Sequence, residues 1–244
     1  MQKLYFLLFV QLLFSQSDVS DGKIEYKMIL GLTNITSYNA TVLFNSKLSL
    51  FEHKLSEEEK LYSEKQLENG IVEIIKRDSV SHFLLIDKNK KKVLELMKIF
   101  NENMPVIVEE DIPEMNWDLQ EGTKQIGKYY CNQATTTFRG RNYTAWYSLE
   151  LPYNIGPWKF NNLPGVILEV KDDTNEVMYT VTSITIPYNV KIKDISKNVK
   201  TISRKEYLIE LDDYLKNFES RSLSKANRNV SAKISIKINT IEKE

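Results

Sequence analysis

The chain has 244 residues, with 33 basic and 33 acidic side chains, 42% apolar residues and 11% aromatic ones. Balanced charge supplies no long-range field to attract a phosphate backbone, which excludes nucleic acid as an expected partner, while the apolar fraction is that of a folded protein. A single cysteine excludes a disulfide within the chain, and with only His53 and His82 there is no His-Glu-x-x-His or paired-cysteine zinc site.

The N-terminus places Lys3 before an apolar run over residues 4–14, then Ser15 and the polar Gln16-Ser17-Asp18. This charged, hydrophobic, small-residue order is that of a secretory signal peptide cleaved after Ser15. A spanning helix needs roughly 20 apolar residues, and this run is too short for one. No cysteine lies near the cleavage point, so a lipoprotein anchor is not expected. The expected plan is a signal peptide over 1–15 and a single β-rich domain over 16–244.

Residues 23–30 and 41–53 alternate apolar and polar side chains with β-branched and aromatic types, which predicts strands. Residues 56–70 break that pattern with Glu57-Glu58-Glu59-Lys60 and read as a solvated loop or short helix. Segments 71–76, 81–87 and 92–98, joined by Arg77-Asp78-Ser79 and Lys88-Asn89-Lys90, read as a meander, with a further strand over 106–111. A second series covers 130–139, 142–149, 166–171 and 177–186. Ser203 and Glu206 have capping-box spacing before Tyr207, Leu208, Leu211, Tyr214, Leu215 and Phe218, which predicts an amphipathic helix lying on the sheet and covering one face. Weak alternation within 225–237 suggests an edge strand. The fold class is therefore mainly β, an antiparallel and curved, half-barrel-like sheet with one C-terminal helix packed on it.

Chemistry is harder to find. The histidines fall in separate strands with no ligand spacing to each other or to Cys131, and no Gly-x-Ser-x-Gly elbow or Gly-rich phosphate loop occurs, so no catalytic residue, cofactor or metal is assigned. Cys131 reads as a small buried hydrophobe. Carboxylates cluster at Glu109-Glu110-Asp111 with Glu114 and at Asp172-Asp173; paired carboxylates can serve a hydrolase, but each cluster coincides with an expected turn and reads first as solvated. Asn-x-Ser/Thr triplets at Asn34, Asn39, Asn142 and Asn229 are expected by chance in such a composition.

One block stands apart. Arg139-Gly140-Arg141 reads as a tight hairpin turn launching a strand with Trp146 and Tyr147 on opposite faces. The loop after it joins Gly156, Pro157, Trp158, Lys159, Phe160, Leu163, Pro164 and Gly165, a stiff backbone with apolar anchors. Two arrangements fit. The loop folds down as a plug over the open end of the sheet, or Arg139, Arg141, Trp146, Trp158 and Lys159 present an exposed aromatic and cationic docking patch.

Asn162-Leu163-Pro164-Gly165-Val166-Ile167, with Tyr129, Cys131 and Ala134, Ala145-Trp146-Tyr147 and Gly156-Pro157-x-Lys159-Phe160, resembles the GLPGLI family of exported Bacteroidota proteins. Asn162 stands for that motif's first glycine, Val166 for a leucine, and Gln133 for the lysine usual there. The resemblance implies a periplasmic accessory or binding protein of undefined biochemical activity, often accompanying TonB-dependent outer-membrane transporters. It also implies an O-glycosylation sequence at Asp78-Ser79-Val80. The expected partner is an outer-membrane transporter or other envelope protein. Alternatives are a carrier of an apolar, lipid-like ligand and, less favoured, an envelope hydrolase using the acidic residues.

Overall fold

The computed structural model describes residues 20–32, 35–61, 81–99, 104–225 and 241–242. The expected signal segment, the strand over 71–76, the triplets at Asp78, Asn34 and Asn229, and the alternation beyond Lys225 lie outside the described residues. Strands β1 (Gly22–Leu30), β2 (Thr36–Phe44), β3 (Leu48–Leu55), β4 (His82–Asp87), β5 (Lys92–Ile99) and β6 (Met104–Asp111) come first. Then follow β7 (Asp118–Ile126), β8 (Tyr129–Phe138), β9 (Arg141–Ser148), β10 (Val166–Asp172), β11 (Val177–Thr185) and β12 (Lys200–Ser203). Helix α1 (Glu57–Leu61) follows β3, and α2 (Arg204–Lys225) follows β12.

The twelve strands among the described residues form one open sheet in the order β12-β6-β5-β4-β3-β2-β1-β11-β10-β9-β8-β7. Every pairing is antiparallel except β12 on β6, which makes the sheet mixed at one edge. The connectivity forces it to roll. Strands β6 and β7 are ten strand spacings apart, about 48 Å on a flat sheet. Only residues 112–117 join them, and so short a segment reaches at most about 25 Å. Ring contacts agree: Phe51 on β3 and Tyr179 on β11 lie three spacings apart in the sheet, yet their centroids are 6.2 Å apart. The expected half-barrel is therefore an open roll with a seam between its two ends.

Period-two alternation fills the inside of the roll with Ile24, Met28, Val42, Phe44, Tyr147 and Val170, all buried. Strand β4 is apolar on both faces because each has a cover. Leu84 and Ile86 join this main core, while Leu85 packs with Leu50, Leu94 and Ile107 beneath Ile192 and Ile195 from the segment before β12.

The loop over 152–165 plugs the roll. Phe160 is completely buried, its ring 4.8 Å from that of Tyr143 and 6.0 Å from that of Tyr179. Trp158 stacks edge-on against Phe138 and Phe160. Trp117, in the connection that crosses the seam, donates its indole N–H to the Asn161 carbonyl at 2.7 Å. The backbone is left-handed at Trp158 (φ 52°) and Asn162 (φ 75°). The second is the position where the resemblance has glycine, and asparagine tolerates that conformation better than most residues. At Gly165 a Cβ would sit 2.0 Å from the Ser148 carbonyl oxygen, so no side chain fits.

The structure departs from the sequence reading in three places. The run over 41–53 is two strands, because Asn45 turns the chain by accepting the backbone N–H groups of Lys47 and Leu48 on its side-chain oxygen. Strands β7 and β12 carry no alternating apolar signal; β7 is an almost wholly exposed edge. Helix α2 lies on the sheet as expected, but it covers only the end formed by β5, β6 and β12 rather than a whole face. It packs by Tyr207 and Leu211 on the β6–β12 edge and leaves Leu208 and Ile209 in solvent. Its capping box forms as expected, with Ser203 Oγ accepting the Glu206 N–H and Glu206 accepting the Ser203 N–H.

Substitution tests the plug's fit. Gly165→Ala is expected to lower stability by about 3 kcal/mol, the upper range for overpacking against fixed backbone. Gly127→Ala, left-handed but in open space, should cost about 1 kcal/mol; denaturant midpoints compare the two.

Candidate functional site: a buried ionic cluster at the seam

The turn between β8 and β9 has two left-handed residues, Arg139 (φ 47°) and Gly140 (φ 71°), the conformation that matches the twist of a two-residue hairpin. It throws Arg139 across the seam, where Nη2 donates to Glu110 Oε2 on β6 at 2.7 Å. In sheet order β6 and β8 are nine spacings apart. Only the roll brings them together.

Lys159, from the plug, is the centre of this junction and is 1% exposed. Its Nζ lies 2.5 Å from Glu110 Oε1, 2.8 Å from Glu242 Oε1 and 3.3 Å from Glu95 Oε2 on β5. Arg204, the first residue of α2, places Nη1 2.5 Å from Glu242 Oε2 and Nε 3.6 Å from Glu110 Oε2. Among the described residues, three cations thus face three carboxylates.

Burial and charge compete in this cluster. Burial works against the charge on Lys159, yet Glu95, Glu242 and Glu110 hold its pKa above the ordinary ammonium value. Burial also works against Glu242, but Lys159, Arg204 and Arg139 hold its carboxyl below the usual range. At Glu95 burial wins and raises the pKa, despite Lys159. Glu95 is the member of the cluster with the weakest hold on its charge.

A second ionic group lies beside it. Arg141 Nη1 is 2.5 Å from Asp172 Oδ2 and 2.7 Å from Glu176 Oε2, and Nε donates to the Ile241 carbonyl at 2.8 Å. Asp172 also accepts the Thr174 hydroxyl and the Val177 N–H. Burial opposes the Asp172 charge, but these hydrogen bonds and Arg141 lower its pKa. The expectation of a solvated turn at Asp172 is therefore corrected: its side chain is 2% exposed.

The motif residues divide accordingly. As an exposed docking patch they fail, because Arg141, Trp158, Lys159, Phe160 and Leu163 are all buried. Gly156, Pro157 and Gly165 are buried with them, while Pro164 is exposed. Tyr147 points inward; Trp146 is half-buried on the outer face, with Lys124 Nζ 4.4 Å above its ring. Of the acidic run, Glu110 joins the cluster, Glu109 and Asp111 both pair with Lys92, and Glu114 is exposed.

Glu95, Arg204 and Glu242 are cluster members that sequence reasoning passes over, since each meets its partners only through tertiary contact. The two histidines, which lack ligand spacing, turn out to be direct cross-strand partners with rings stacked at 4.8 Å. Burial, then the charge of His82, lowers the His53 pKa to about 3. Cys131 is buried, and burial raises its thiol pKa. Among the described residues no group of three or more His, Cys, Asp or Glu side chains could hold a metal ion. An open cleft of about 420 Å³, lined by Lys92, Glu110, Asp111, Ser203, Arg204 and Glu206 among others, borders the cluster at Glu110 and Arg204.

Comparison with known proteins finds a likeness for the block and a likeness of fold for most of the chain. A family model described as a protein of unknown function (Porph_ging) matches residues 137–169, which run from the end of β8 through β9 and the plug into β10. No curated protein matches the chain. Two crystal forms of PNGF-II, in C2 and P21, are similar to it at TM-scores of 0.53 and 0.52, each at 16% identity over 78% of this chain. The likeness is one of fold, and the chain spans only 32% and 33% of the length of those two. An uncharacterised conserved protein from Thermus thermophilus aligns at a TM-score of 0.39 and 13% identity, over 77% of this chain and 93% of that one.

The pKa directions set a pH dependence. Asp172 and Glu242 are lowered on folding, so each adds stability that is present above the unfolded value of about 4 and lost as pH falls through the folded one. Lys159 is raised, so its contribution is complete below about pH 10 and lost as pH rises through its folded value. The melting temperature is expected to fall between about pH 5 and pH 3. Asp172→Asn should flatten that fall and cost about 3 kcal/mol at neutral pH, because Arg141 loses its buried carboxylate partner and keeps the more exposed Glu176. Glu95→Gln, where burial opposes the charge of the carboxylate, should cost less than Asp172→Asn.

Proposed function

We propose that the chain is an exported, non-catalytic accessory protein of the cell envelope that binds a protein partner, with a TonB-dependent outer-membrane transporter as the expected one. The observation that carries the non-catalytic part is the commitment of the acidic run. A hydrolase built there needs a carboxyl group free to exchange a proton with substrate. Glu110 is instead held 2.5 Å from Lys159 and 2.7 Å from Arg139, and Glu109 and Asp111 share Lys92.

Export rests on the order of residues 1–18, and the envelope setting on the resemblance of the motif block to the GLPGLI family. Binding is supported by apolar side chains left in solvent. Leu208 and Ile209 line a second cleft of about 420 Å³ on α2 together with Arg204, Lys205 and Asp212. The carrier reading has less support, since Trp158, Phe160 and Leu163 fill the inside of the roll. An acyl chain there would have to displace the plug.

Crosslinking in intact cells of the source organism, followed by purification and mass spectrometry, tests the proposal. The expected result is a mature N-terminus at Gln16 and a crosslink to an outer-membrane transporter. An unprocessed cytoplasmic chain, or a hydrolytic activity abolished by Glu110→Gln, would contradict it.

A further inference from the structure

The chain has two histidines, and the fold sets them opposite each other. Among the described residues His53 and His82 form the last rung of the β3–β4 ladder, whose register starts at Leu48 and Asp87. Their rings are stacked at 4.8 Å and 7°. His53 shares a face of β3 with Phe51 and Leu55, both buried. Its ring lies 5.5 Å from that of Phe51 and 5.4 Å, edge-on, from that of Tyr38 on β2. Its Nδ1 is buried and, among the described residues, has no hydrogen-bond partner.

That setting suits a neutral imidazole and penalises an imidazolium. Either neutral tautomer carries one ring proton, whereas the cation carries an N–H on both nitrogens. The N–H on Nδ1 would be a buried charged donor without an acceptor among the described residues. Packed on the ring are Tyr38 from β2 and His82 from β4, while Glu52 and Lys54, its neighbours on β3, point to the opposite face. Helix α1 begins with Glu57, Glu58 and Glu59, and Glu59 accepts the Ser37 N–H of β2. Burial and then the charge of His82 are what act on His53, and both lower its pKa, to about 3. A proton is therefore accommodated where the ring reaches water. The terminal rung of a ladder is where a sheet opens at least cost.

We propose that the His53–His82 rung is an acid-released clasp, in which proton uptake by His53 opens the end of the β3–β4 ladder and exposes the apolar side chains of Phe51 and Leu55. The clasp does not rest on the envelope role proposed above. It also works in a pH window of its own. His53 leaves the closed rung unpenalised above its open-state value of about 6.5 and disfavours it increasingly as pH falls toward the folded value. Asp172 and Glu242 act only from about pH 5 downward.

Hydrogen exchange read by mass spectrometry on the full-length chain tests the clasp, with His53→Phe as the comparison. That variant keeps an aromatic ring against Tyr38 and Phe51 and cannot take a proton. After correction for intrinsic exchange, the opening constant of residues 48–55 should rise about twentyfold in the wild type relative to His53→Phe between pH 7 and pH 5. Residues 166–172 should show no such difference. An imidazole NMR titration of the wild type needs no variant, and should find the His53 ring of the folded chain still neutral at pH 5. If His53→Phe does not fold, a wild-type rise confined to residues 48–55, with His53 neutral by NMR, is the same result. Equal pH dependence in the two chains, a rise shared by residues 166–172, or a folded-state His53 that titrates near pH 6.5 would overturn the proposal.

Discussion

Lys159 brings a positive charge into the interior at the point where the two ends of the twelve described strands approach each other. An ammonium group out of water is tolerated only when carboxylates surround it. Glu95 and Glu110 come from β5 and β6 on one side of the seam and Glu242 from beyond α2, while Lys159 itself is carried by the plug that follows β9. Meeting the demand of one side chain therefore fixes the curvature of the sheet, the depth of the plug and the position of the segment after α2.

The same constraint explains why the motif block looks as it does. Its glycines are set by contact with backbone, most severely at Gly165 against the Ser148 carbonyl. Its aromatic residues fill the roll, and its cations reach over to the other edge. A closed barrel would join its ends with ladder hydrogen bonds. This roll joins them with side chains, and side chains respond to pH and to competing anions in ways that a backbone ladder does not.

Much of the architecture is legible in the sequence. Strands β1, β4, β5, β8, β9, β10 and β11 follow from alternation, and α2 from Ser203 and Glu206. Strand β7 escapes because it is an exposed edge that needs no apolar face, and the break at Asn45 hides inside a run that alternates on both sides of it. The burial of Trp158 and Phe160 follows one of the two arrangements that the loop allows. The partners of Arg139, Lys159 and Arg141 are not legible, since glutamates such as Glu95 and Glu242 stand in ordinary polar contexts and are selected only by the roll. Physical reading of composition would sooner assign such carboxylates to the surface.

The central claim is that the Lys159–Glu110 pair couples the plug to the opposite edge of the sheet. A double-mutant cycle with Lys159→Met and Glu110→Gln, measured by denaturant unfolding at neutral pH, tests it most directly. Each single variant leaves a charge buried next to a neutral neighbour, whereas the double variant removes both. The predicted result is a coupling energy of at least about 2 kcal/mol, the double variant being more stable than the sum of the two losses allows. Losses that add to within about 0.5 kcal/mol would contradict it and leave the two ends of the sheet independent of each other.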